Sequence, residues 1–183
     1  MTQWQDLLAD IEAQAQVQSD REREGEVAER ERVERARIDV AARFTAAIGD
    51  QVQVMLGAAG PVRGEVSAVG PDWVLLADPG AAHEHLVMVR AVSTITGLNS
   101  RSREEPPSPA RDALNAAWAL RRLVRDRSRV RVRTLDGQSH GGVLISVGAD
   151  HLDLGDEALG QAGVGAPRVT TVMLAAIACV TRS

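Results

Sequence analysis

Pro61-Val-Arg-Gly-Glu-Val-Ser-Ala-Val-Gly-Pro-Asp-Trp-Val-Leu-Leu76 is the stretch on which the fold class of this chain turns. Val62 and Val66 alternate with Arg63 and Glu65, the period of a half-buried strand. Gly70-Pro71-Asp72 has the composition of a turn, and Trp73–Leu76 reads as the next strand. Upstream, Val52, Val54 and Leu56 alternate with Gln53 and Met55. Downstream, Leu86–Val89 leads into Val92 and Ile95. Five short strands in roughly 45 residues are too few for a sandwich and suit a small barrel.

The same texture returns later in the chain. A shift of 78 residues lays Val52 and Val54 on Val130 and Val132, and Gly64 on Gly142. It also lays Val66 on Leu144, Val69-Gly70 on Val147-Gly148, and Asp72 on Asp150. After the next loop the shift becomes 85, and Val87-Met88-Val89 meets Val172-Met173-Leu174. The sequence therefore predicts a duplication of one small β-barrel unit.

Leu56, Gly60, Val62, Gly64, Val66, Val69 and Leu75-Leu76, followed by Val89-Arg90-Ala91-Val92-Ser93-Thr94-Ile95, resemble the Sm-like family, whose bacterial branch is the Hfq proteins. Leu135, Gly137, Gly142, Leu144 and Val147, then Leu174–Val180, supply the second likeness. The resemblance implies SH3-like barrels, edge-to-edge assembly into a homo-oligomer, and RNA binding. The chain departs from the family where Gly70 and Gly148 replace an aspartate and where Val74 and Leu152 stand near an RNA-contacting asparagine. Of the family's uridine-holding Lys-His pair, only Arg90 keeps a donor.

Residues 3–47 contain no proline and one glycine, Gly25, among many Ala, Glu, Gln and Arg, all strong helix formers except that glycine. Pairs such as Glu26–Arg30 and Glu31–Arg35 support a solvated helix, favoured here over a coiled-coil arm because Val27 and Val33 make a poor seam. Trp4, Leu7, Leu8 and Ile11 form an apolar face for a protein partner. Residues 99–109 are a linker by composition, and a second helix is expected from Ala110 to Arg127. The expected fold is α+β and mainly β. A long helix at 1–48 precedes a first barrel at 49–98, then the linker at 99–109, then a helix and second barrel at 110–183.

All 21 basic residues are arginine, and the net charge is −4. Residues 1–50 hold seven arginines against twelve acids, whereas residues 101–133 hold ten against four. In that basic block Arg121, Arg122 and Arg125 share a helix face. Arg129, Arg131 and Arg133 alternate with Val130 and Val132, so on a strand all three project to one side. With Arg90 they form the candidate RNA- or DNA-binding set. No aromatic residue interleaves with them, so the expected contact is with phosphates and is sequence-tolerant.

Of the histidines, His83-Glu84-His85 could place two imidazoles on one side of a strand, although an exposed loop is the favoured reading. His140 and His151 sit at turns, and His151 takes the place of Trp73. The single cysteine, Cys179, lies in an apolar run and excludes an internal disulfide. No nucleophile–base arrangement, phosphate loop, metal site, cofactor site or membrane span is legible. The expectation is a non-enzymatic cytoplasmic binding protein consistent with a role in gene regulation, with an assembly or adaptor protein as the alternative.

Overall fold

The computed structural model describes residues 38–78, 80, 83–103, 108–155 and 168–182, together with Arg32 and Ala36. It divides into a unit at Met1–Asp39 and a unit at Val40–Ser183. In the first unit, Arg32 and Ala36 are helical while Ile38 and Asp39 are not. A single uninterrupted helix over 1–48 is thereby corrected. Asp39, a residue type favoured just ahead of a helical first turn, stands before α1, Val40–Ala46. The remainder of the expected helix and its coiled-coil seam lie outside the described residues.

α1 buries Phe44 and Thr45, and Thr45 Oγ1 donates to Ala41 O at 2.9 Å. Gly49, at φ +90, turns the chain where a side chain would be strained. Its amide donates to Val66 O at 2.9 Å. The strands that follow are β1 Gln51–Met55, β2 Pro61–Val69, β3 Trp73–Asp78, β4 His83–Met88 and β5 Thr94–Thr96. Past the linker come α2 Pro109–Asp112 and α3 Ala116–Arg125, then β6 Arg129–Thr134, β7 Ser139–Val147, β8 His151–Gly155, β9 Val169–Met173 and β10 Ile177–Arg182.

The ten strands form one antiparallel sheet in the order β5-β1-β2-β3-β4-β10-β6-β7-β8-β9. This overturns the tandem Sm-like or SH3-like barrels. Closing the first barrel would require β4 to meet β5, but the outer edge of β4 is occupied by β10. The pairs are Cys179↔Val87, Val180↔Leu86, Thr181↔His85 and Arg182↔Glu84. β5, only three residues long, pairs instead with β1, and β9 pairs with β8, so both stand at the ends of an open sheet. The match found by shifting the sequence reports a shared local strand-and-bend pattern rather than a closed unit. β2 shifts register between Val66 and Ala68, and β7 between Leu144 and Ser146. Ahead of each bend sits a glycine against the next strand. A Cβ on Gly64 would lie 2.7 Å from Ala77 O, and one on Gly142 would lie 2.5 Å from Gly155 O.

The expected helix at 110–127 is broken. Asn115 caps α3 by accepting from the Trp118 amide at 3.0 Å. Asp72 Oδ1 accepts from the Ala116 amide at 2.8 Å, and Trp73 Nε1 donates to Leu114 O at 2.8 Å. The β2–β3 turn thus fixes where α3 begins. At the β4–β10 junction the sheet is buried on both faces, by Val87 and Cys179 on one and Leu86 and Val180 on the other. Continuous apolar runs replace simple alternation there, as expected of two-sided burial. No helix among the described residues is long and apolar enough to cross a membrane.

Cys179 is fully buried at this junction, and burial pushes its thiol pKa up. Its labelling by a thiol reagent should track global unfolding across a urea series. Labelling well below the main transition would show that the junction opens separately. Leu86→Ala, at the same place, should cost about 2–5 kcal/mol in the denaturation midpoint analysis.

Candidate nucleic-acid interface

β6 alternates as its sequence demands. Val130 and Val132 are buried, Arg129 and Arg131 are exposed, and Arg133 is half-buried. Register carries the row of Arg131 across neighbouring strands. Thr181 stands opposite Arg131 on one side and opposite His85 on the other, while Gly141 stands opposite Arg131 on β7. A transverse row, His85–Thr181–Arg131–Gly141, therefore crosses β4, β10, β6 and β7 on one face. A groove of about 720 Å3 lies over it, lined among others by His83, Arg129, Arg133 and Pro61. Gly141 leaves its floor open, since a Cβ there would meet nothing within 4 Å.

The wall opposite the arginines is imidazole. His83 and His85 stack with ring centroids 6.5 Å apart, and His85 Nδ1 lies 3.0 Å from Thr181 Oγ1. These residues belong to β4, correcting the loop reading of His83-Glu84-His85. Burial lowers the His85 pKa, and the Arg133 and His83 charges lower it further against a raising effect of Asp78. Burial and the neighbouring positive charges thus both disfavour a proton on the His85 ring.

The arginines of the candidate set are not all brought together. Arg133 Nη1 donates to Ala59 O at 2.8 Å and so ties the turn before β2 to the groove. Arg121 lies on α3 and donates to Gly148 O at 3.0 Å. The Arg122 guanidinium sits 5.1 Å over the Trp118 ring, and Arg125 is exposed on the same helix. Trp118, Ala119, Arg122 and Leu123 of α3 line one pocket with Leu86 and Val180, which point away from His85 and Thr181. The helix arginines and the strand arginines thus occupy opposite faces of the sheet. Arg90 donates to the carbonyls of Leu174 and of Ile177, the latter at 3.1 Å, which clamps the turn before β10. Trp4, Leu7, Leu8 and Ile11 lie outside the described residues.

The histidines and Thr181 are the residues that sequence reading did not place in the site. Period-two spacing of His83 and His85 was the available signal for the first two; nothing local marks Thr181. His151 packs its ring where a Cβ on Gly148 would stand, as the Trp73 ring does at Gly70. A hydrogen bond donated by the His151 ring to the Asp150 carboxylate raises the His151 pKa. Among the described residues no group of acidic, histidine or cysteine side chains could hold a metal.

The lowered pKa of His85 has a definite sign in stability. Above its unfolded value, 6.5, the ring is neutral in both states. As pH falls below that value the unfolded chain takes up the proton first, and the fold loses stability. His85→Gln should therefore lose less stability than the unsubstituted chain between roughly pH 7.5 and pH 5.5, measured by urea denaturation. A steeper loss in the variant would contradict the assignment. Comparison with protein-family models, with curated proteins and with solved structures gives no match to this chain.

Proposed function

We propose that this chain is a non-enzymatic, cytoplasmic binding protein that grips the phosphate backbone of RNA or DNA, with little regard for sequence. The observation that carries this reading is the arginine row of β6 over an open groove. Side chains two apart on a strand are spaced by about 6.7 Å, comparable with successive phosphates along an extended strand. Guanidinium groups match phosphate oxygens two at a time. The groove residues include no Phe, Tyr or Trp, so bases gain no stacking platform and backbone contact dominates. Among the described residues no carboxylate hydrogen-bonds to the His85 ring of the Thr181–His85 pair, as one that orients a base in nucleophilic catalysis would. The nearby Asp78 pairs in register with His83 instead.

Fluorescence anisotropy of a labelled single-stranded RNA and a duplex DNA, titrated at low and moderate salt, tests the reading. Affinity should fall as salt rises, and Arg131→Ala should lower the slope of log affinity against log salt by about 1. Arg121→Ala, on the other face, should leave the slope unchanged. Flat titrations with both probes would sink the proposal.

A second reading, self-assembly, is favoured by β9. This strand, Val169-Thr-Thr-Val-Met173, has no charge and no proline, and its outer edge has no strand partner among the described residues. Val169 is 52% and Met173 48% exposed. Such an unguarded edge is a template for a strand from a second copy. Light scattering should give an oligomeric mass that Val169→Lys reduces to the monomer. A monomeric unsubstituted chain would remove this reading.

A further inference from the structure

We propose that the row His85–Thr181–Arg131 is a seat for one terminal phosphate, so that the groove holds a nucleic-acid end carrying a phosphomonoester in preference to an internal phosphodiester. The inference rests on the nucleic-acid reading and names the part of the ligand that occupies the middle of the groove. The three residues stand on three neighbouring strands in register. His85 and Arg131 are therefore about 10 Å apart at the backbone, with Thr181 midway between them. Both flanking side chains are long enough to lean over Thr181 from opposite sides. The bare backbone of Gly141 leaves the Arg131 side open.

The donor set fits a monoester better than a diester. A monoester presents three peripheral oxygens and up to two charges, its second pKa being about 6. An internal diester presents two such oxygens and one charge. Arg131 offers a planar fork, Thr181 a hydroxyl and His85 a ring N–H, one donor group for each oxygen. Arg129 and Arg133 flank this row on the same strand, and Arg133 is held by its bond to Ala59 O.

His85 and Thr181 are linked in a way that makes the seat respond to the anion. With the ring proton on Nε2, Nδ1 accepts the Thr181 hydroxyl hydrogen across their 3.0 Å contact. A second proton turns Nδ1 into a donor to Thr181 Oγ1 and releases the hydroxyl hydrogen toward the phosphate. The charged and titratable groups around His85 are His83 on its own strand, Asp78 on β3, Cys179 on β10, and Arg129, Arg131 and Arg133 on β6. Burial first, and then the Arg133 and His83 charges, disfavour the protonated ring against a raising effect of Asp78, and a phosphate dianion beside it acts in the opposite direction.

The test compares three labelled oligonucleotides of one sequence, with a 5′-phosphate, a 3′-phosphate or hydroxyls at both ends, by anisotropy at roughly pH 6.5. At least one phosphorylated probe should bind about tenfold more tightly than the hydroxyl probe, the worth of one charge-assisted hydrogen bond. His85→Gln and Arg131→Ala should each abolish that preference. Retained binding of the hydroxyl probe to His85→Gln shows that this variant is folded. Equal affinity for all three probes overturns the seat and leaves backbone binding standing. A preference that survives in His85→Gln overturns it too. Failure of every probe to bind the unsubstituted chain removes the nucleic-acid reading itself.

Discussion

The antiparallel pairing of β4 with β10 is the contact on which the rest of the molecule depends. It takes the edge that a closed barrel would have used and spends it on joining strands from distant parts of the chain. Val87, Cys179, Leu86 and Val180 are buried there on both faces, which makes the joint part of the core rather than a hinge. The same hydrogen-bonded register decides which side chains meet above it: His85 faces Thr181, and Thr181 faces Arg131. The groove is a by-product of this one alignment. A slip of one residue would turn either His85 or Arg131 to the other face.

Arginine serves two purposes in this lysine-free chain. Arg90, Arg121 and Arg133 each donate to backbone carbonyls far away in sequence, of Ile177, Gly148 and Ala59 respectively. Each covers oxygen atoms that strand ends and turns leave without a ladder partner. A planar, permanently charged fork suits this work better than an ammonium group. Arg131 is placed differently, exposed beside a glycine on the open side of the row. High arginine content therefore says little on its own, and position in the sheet separates the structural guanidinium groups from those facing solvent.

Much of the strand pattern was legible because it is local. Alternation at Val52–Met55 and at Arg129–Arg133, and the bends near Gly64 and Gly142, follow from period and close backbone approach. The sheet order was not legible. Nothing in Leu86–Val89 or Ile177–Val180 states that these runs pair with each other rather than within separate units; both are simply apolar. The resemblance to a closed barrel family rested on these same apolar and glycine positions, and β10 on the edge of β4 removes the closure. The helix at 110–127 was misread because its break depends on Asp72 and Trp73, distant residues that capture the Ala116 amide and the Leu114 carbonyl. For the site, the same-side arrangement of Arg129, Arg131 and Arg133 was readable from spacing. The imidazole wall was not, because Thr181 and His85 come together only through long-range pairing.

The placement of β10 between β4 and β6 has a consequence for the order in which the molecule matures. While the chain emerges from the ribosome, β1–β4 and β6–β9 can each pair with their sequence neighbours, but β4 and β6 keep a bare edge apiece until residues 177–182 arrive. Only then do His85 and Arg131 acquire a common floor. A nascent chain is thus built without the transverse row, which forms only when β10 fills the last gap in the sheet.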